Sequence, residues 1–149
     1  MAYTVITMDN SFFMSNISPQ TPKFNRGIWS RLEKQVRNFA LTENEIYVIT
    51  GPVFKNDDTR LISIGKNNPI AVPYAYYKVI YDLTPPQKMI AFIIPNTGSK
   101  KSLAQFAVTV STVEQMTGLE FFPTLSDKTK KQLETTISVT DWTWLGDRK

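Results

Sequence analysis

Between Asn25 and Leu41 the apolar residues Ile28, Trp29, Leu32, Val36, Phe39 and Ala40 recur at spacings of three and four. That stripe predicts a helix with one buried face. Asn25 stands where an N-terminal cap belongs. Glu33 precedes Arg37 by four residues, the favourable order for an acid–base pair on an exposed flank. Before the helix, Met1 to Met14 reads as turns and short extended pieces. Asn16 to Phe24 reads as loop, because Pro19 and Pro22 lack a donor and restrict the residues before them.

After the helix the pattern changes to short apolar runs cut by turn residues. Glu45 to Phe54 reads as a strand ending at Gly51-Pro52, and Arg60 to Ile64 as a short strand. Gly65 to Pro73 is rich in turn formers. Tyr74 to Tyr81, Lys88 to Ile94 and Phe106 to Val110 are further strands, the first two separated by Pro85-Pro86. Ser111 and Glu114 have the spacing of a capping box opening a short helix that Gly118 ends, and Asp127 to Thr135 predicts a polar helix. Strands joined by short turns behind a leading helix predict an α+β fold with a mainly antiparallel sheet and packed helices, as one domain over residues 1–149. Trp142 and Trp144 alternate in a tail that fits either a closing strand or a cover over an apolar patch.

Composition narrows the chemistry. The 149 residues contain neither cysteine nor histidine, and the net charge is +4. Disulfides, thiolate metal sites and cysteine nucleophiles are excluded. The commonest general base near neutral pH is excluded with them. Carboxylates, Lys, Tyr, amides or a metal held by oxygen remain. The longest clean apolar run, Met89 to Ile94, is far short of the ~20 residues of a membrane helix. No basic segment followed by an apolar stretch opens the chain, so no signal peptide is visible. The positive charge fits either a polyanionic partner or an ordinary lysine-rich surface.

Polar chemistry is densest from Asn16 to Arg37, which places Asn16, Gln20, Asn25, Arg26, Glu33 and Arg37 on a loop and the helix after it. On a helical wheel Arg26, Glu33 and Arg37 share one flank beside the apolar stripe. A plain structural account exists for the same residues, with Asn25 as cap, Trp29 as core and Glu33–Arg37 as a surface pair worth a few tenths of a kcal/mol, on the order of 0.3–0.5.

The order of the motifs favours more than that. Asn16, Ser18, Pro19, Gln20, Phe24, Asn25, Gly27, Trp29, Leu32 and Glu33 form the pattern N-x-S-P-Q-x-x-x-F-N-x-G-x-W-x-x-L-E. Thr50 to Phe54 (TGPVF), Ile64-Gly65, Val72-Pro73, Ala91 to Asn96 (AFIIPN) and Glu114 to Phe122 follow in sequence. Over Met8 to Phe122 the chain resembles the DNA/RNA non-specific endonucleases with a ββα-metal site. The resemblance implies one Mg²⁺ held by few protein atoms, with Mn²⁺ or Ca²⁺ as substitutes. It places the direct ligand at Asn25, makes Glu33 the group that orients metal-bound water and gives Arg37 the charge of the phosphate. Asn16, Gln20 and Arg26 become supporting or substrate-contacting residues. The expected partners are DNA and RNA, read through their phosphates rather than their bases.

The family's general base is the His of a D-R-G-H motif on the strand preceding this helix, and this chain has no such motif. The fit of Met1 to Gln20 to the family pattern makes a shortened N-terminus the expectation. A sheet edge would then lie unpaired and prone to association, with a homodimer among the expected assemblies. Loss of a general base lowers rates about 10²–10⁴-fold, so little cleavage is expected from these residues alone. A nucleic-acid-binding paralogue that does not cut, and an interaction domain, are the alternatives. Lys100-Lys101 and Lys128, Lys130 and Lys131 fit phosphate contacts or plain solvation, and Asp57-Asp58 reads first as a turn.

Overall fold

The computed structural model of the protein describes residues 17–54 and 62–146. The predicted strand from Arg60 therefore starts outside the described residues. Asn16, Met1 to Met14 and Asp57-Asp58 lie outside them entirely.

The leading helix forms as its stripe requires. Helix α1 spans Ser30–Thr42 and is preceded by a wide π-type turn, Phe24–Trp29. Gly27 (φ −103°, ψ −108°) interrupts the helical dihedrals there and kinks the chain. Helical structure already begins at Pro22, so Asn25 is not the cap. It lies inside the wide turn, its backbone N–H bonded to the Thr21 carbonyl at 2.9 Å. Phe24, Ile28, Trp29, Leu32 and Phe39 are buried, whereas Ala40 is exposed. Gln35 and Asn38 are buried in its stead. Their amides donate to the Thr143 carbonyl at 3.0 and 2.8 Å, and Gln35 accepts from the Leu145 N–H at 2.9 Å. Those bonds dock the C-terminal segment on α1 and place Trp142 and Trp144 against Phe39, with ring centroids 4.7 and 5.5 Å apart. The tryptophan tail is thus a cover, not a strand.

The sheet has the order β1 (Ile46–Val53), β4 (Ala75–Asp82), β5 (Lys88–Pro95), β6 (Ala107–Val108), antiparallel throughout. Strands β2 (Ser63–Ile64) and β3 (Ile70–Ala71) form a separate ribbon. Every residue of β4 is buried, because helices cover both faces. Tyr76 and Ile80 of β4, with Ile90, Phe92 and Ile94 of β5, pack under α1. Tyr77, Val79 and Tyr81 pack under helices α2 (Val110–Thr117) and α3 (Asp127–Thr135). This period-two sorting makes Tyr76 and Tyr77 core residues on opposite sides, while Tyr74, which precedes the strand, is exposed. The α+β class with a mainly antiparallel sheet and packed helices holds.

Three boundaries differ from expectation. Phe106 belongs to a 3₁₀ turn, Leu103–Phe106, and Val110 already opens α2, leaving only two residues for β6. The cap of α2 is Thr109, whose hydroxyl accepts from the Thr112 N–H; Ser111 lies inside the helix. Glu114 accepts instead from the Phe121 N–H at 2.8 Å and ties down the chain beyond the helix. Gly118 ends α2 at φ +70°, the left-handed region that favours glycine. Among the described residues no strand flanks β1 on the side away from β4, and no helix is long and apolar enough to cross a membrane.

Candidate functional site

The wide turn before α1 stands on an aromatic base. Phe24 stacks on Trp29 at 5.1 Å and on Tyr76 at 5.3 Å, and Trp29 meets Tyr76 at 5.7 Å. Such pairs add about 0.5–1.5 kcal/mol each beyond their buried area. The Tyr76 hydroxyl donates to the Pro19 carbonyl at 3.0 Å and lies 2.7 Å from the Ser18 hydroxyl, holding the incoming loop. Burial pushes the Tyr76 phenol above its ordinary range, partly offset by Ser18, so it stays a neutral donor.

Asn96 closes the loop from the other side. Its amide donates to the Pro19 and Pro73 carbonyls at 3.0 and 3.1 Å and accepts from the Thr21 N–H at 2.9 Å. The Thr21 hydroxyl donates to the Asn96 carbonyl at 3.0 Å. Gln20 is therefore fixed between two anchored neighbours. Its Oε1 accepts from Nδ2 of Asn25 at 2.7 Å. The Oδ1 of the exposed Asn25 side chain accepts no hydrogen bond from the other described residues.

Glu33 and Arg37 are exposed on α1. They do not pair with each other, and neither carboxylate nor guanidinium bonds another described residue. The expected surface pair is thus absent, and both charges face water. Near Glu33 lies Lys78, which shares the α1 side of β4 with Tyr76 and Ile80. Its Nζ donates to the Thr50 hydroxyl at 2.7 Å and sits 4.9 Å over the Trp29 ring. Burial lowers the Lys78 pKa from its ordinary value, opposed by the negative charge of Glu33. Thr50 also lines a cleft of about 340 Å³ with Ser18, Gln20, Pro52 and Tyr76.

The predicted cluster is thus brought together in part. Gln20 and Asn25 touch, exposed Arg26 lies beside Asn25 in the wide turn, and Glu33 and Arg37 follow on α1 beyond the kink. Asn96, Tyr76 and Lys78 carried no assigned role in the sequence, although a lysine inside the apolar run YAYYKVIY and an asparagine ending AFIIPN were signals for them. Among the described residues, no group of three or more Asp or Glu converges on one point. A cation here would take few protein ligands and keep most of its water, the habit of magnesium. Of the described residues, the Asn25 side-chain oxygen and the exposed Glu33 carboxylate, which bond no other described residue, could serve such an ion.

Comparison with known proteins agrees in one direction. Residues 2–128 match the family model of the DNA/RNA non-specific endonucleases. The chain is 36% identical over 132 residues to mouse mitochondrial nuclease EXOG, covering 79% of this chain and 36% of that protein. It is 33% identical over 129 residues to human mitochondrial endonuclease G, covering 79% and 43%. It is 34% identical over 127 residues to the nuclease of Serratia marcescens, covering 82% and 47%. A chain of the EndoG/EndoGI complex superposes with a TM-score of 0.70 at 35% identity, over 87% of this chain and 56% of that one. The chain spans less than half the length of these three relatives. It belongs to the DNA/RNA non-specific endonuclease family.

Proposed function

We propose that this member of the DNA/RNA non-specific endonuclease family carries the metal-holding half of a magnesium-dependent site that hydrolyses phosphodiester bonds in DNA and RNA. One observation carries the reading. Gln20 ties down the nitrogen of the exposed Asn25 side-chain amide in the wide turn, and among the described residues neither its oxygen nor the charges of Glu33 and Arg37 on the following α1 take a hydrogen-bond or ion-pair partner.

Asn25 would ligate the cation through Oδ1. Glu33 would accept hydrogen bonds from the water around the ion and set its orientation. The Arg37 guanidinium would bind the non-bridging phosphate oxygens and offset the charge they gain as water attacks phosphorus in line. The cation, Mg²⁺ with Mn²⁺ or Ca²⁺ as substitutes, would supply Lewis-acid stabilisation of the same charge. None of these residues reads a base, which supports action on DNA and RNA alike. Asn16 and Arg26 are assigned to substrate contact, and Gln20 to support of Asn25.

A second reading, binding without hydrolysis, is favoured by the absence of histidine from all 149 residues. No imidazole in the chain can take the proton of the attacking water, and such a loss costs about 10²–10⁴ in rate. A plasmid-nicking assay in Mg²⁺ with Asn25→Ala as control, beside a Mn²⁺-binding titration, separates the two. Mn²⁺ binding that Asn25→Ala abolishes, with slow Mg²⁺-dependent nicking, is the result expected. Mn²⁺ binding indifferent to Asn25 would reject the site.

A further inference from the structure

The geometry points to a second nucleic-acid contact: a basic groove between the wide turn before α1 and the loop after β5, which binds the phosphate backbone beside the bond to be cut. This rests on the nuclease reading of Asn25 and extends it to substrate positioning. The groove encloses about 520 Å³, and its lining includes Lys23, Arg26, Gly27, Gly98 and Lys100. Among the described residues three cations and no carboxylate line it, a uniform sign that suits a polyanion. Arg26 follows Asn25 directly, so one wall of the groove is the turn that carries the proposed ligand.

Its walls are built, not incidental. The Arg31 guanidinium reaches from α1 and donates to the Ser99 and Lys101 carbonyls at 3.1 and 2.9 Å. The Lys101 N–H is bonded to the Ser99 hydroxyl at 3.2 Å. Gly98 lets the loop approach the turn, since a Cβ there would lie 2.9 Å from Cβ of Lys23. Lys100 is thereby held opposite Lys23 and Arg26, while all three side chains stay exposed to solvent. Cations on two fixed walls can straddle a backbone that a flat lysine patch would touch from one side only. The wide turn and kink at Gly27 aim Lys23 and Arg26 at the loop, a use of helical irregularity common at functional sites.

The test is equilibrium binding of a labelled 20-base-pair duplex in EDTA, which prevents cutting, over a range of salt concentrations. The Lys23→Ala/Lys100→Ala double variant keeps both Cβ atoms and therefore both walls. Loss of two phosphate contacts lowers the slope of log affinity against log salt by about 1.8 and weakens binding roughly tenfold near 0.1 M salt. Lys128→Ala/Lys131→Ala on α3 removes the same charge elsewhere and serves as control. An unchanged slope in the groove variant, or an equal loss in the α3 control, overturns the groove while leaving the nuclease site standing. No duplex binding by the unmodified chain overturns both.

Discussion

Nδ2 of Asn25 donates to Oε1 of Gln20 at 2.7 Å, and that bond decides which end of the Asn25 amide faces outward. Gln20→Ala frees the amide to rotate. Orienting partners of metal ligands are typically worth about 10–100-fold in affinity. Mn²⁺ affinity, followed by calorimetry, is expected to fall by at least about tenfold. The melting temperature should shift by no more than a few degrees, because the bond is exposed and its net worth is about 1 kcal/mol. An unchanged Mn²⁺ affinity would show that Gln20 does not set the ligand.

Lys78 is a buried cation whose contacts among the described residues are a neutral hydroxyl and an indole face, with the Glu33 charge acting from a distance. Its lowered pKa means that the folded chain binds this proton less tightly than the unfolded chain does. The resulting cost is present at pH 7 and relaxes as pH rises towards the ordinary lysine value of 10.5. Lys78→Met keeps the volume and removes the desolvated charge, an exchange that is often neutral or stabilising. Urea denaturation at pH 7 is expected to show stability equal to or above the parent, with the difference shrinking near pH 10. A loss above about 2 kcal/mol at pH 7 would mean that the Thr50 and Trp29 contacts outweigh the buried charge.

Glu134 on α3 is 5% exposed, and among the described residues its Oε1 has no hydrogen-bond partner. Burial, with Glu114 and Glu120 nearby and Lys130 opposing, pushes its pKa from 4.5 to about 7. The folded state therefore holds a proton that the unfolded state releases between these values, and stability falls as pH rises through that window. Glu134→Gln removes the titration. It should match the parent near pH 4 and exceed it at pH 8 by about 1–3 kcal/mol, the upper figure being the full shift at 1.36 kcal/mol per unit. Parallel chemical denaturation at the two pH values checks this, and a gain of equal size at both would assign the effect to packing rather than charge.

Large apolar side chains were the legible part of the fold. Ile28, Leu32 and Phe39 face the sheet as their spacing demands, because burying them is the dominant favourable term. Ala40 carries too little surface to choose a side, and Gln35 and Asn38 took the buried positions because the distant Thr143 and Leu145 backbones satisfy them. No local pattern announces a partner more than a hundred residues away. Ser111 and Glu114 had the right spacing for a capping box, yet Thr109 captured the cap because the chain leaves β6 two residues earlier. Motif order made the family readable, and it is the source of the roles proposed for Asn25, Glu33 and Arg37. The Lys23–Lys100 groove was not, since its walls come from segments some seventy residues apart.

Asn96 gives the site a property beyond geometry. Its amide bonds the loop before α1 and the Pro73 carbonyl just before β4, from the end of β5. A segment opens only when the interactions that hold it are released together. Swinging the Gln20 loop away breaks the bonds that hold it to the end of the central hairpin. Its opening free energy is thus tied to that of the sheet rather than to the low value common for surface loops. Amide hydrogen exchange at Thr21 should accordingly be slow and should track that of the neighbouring β4 and β5 amides as denaturant is added.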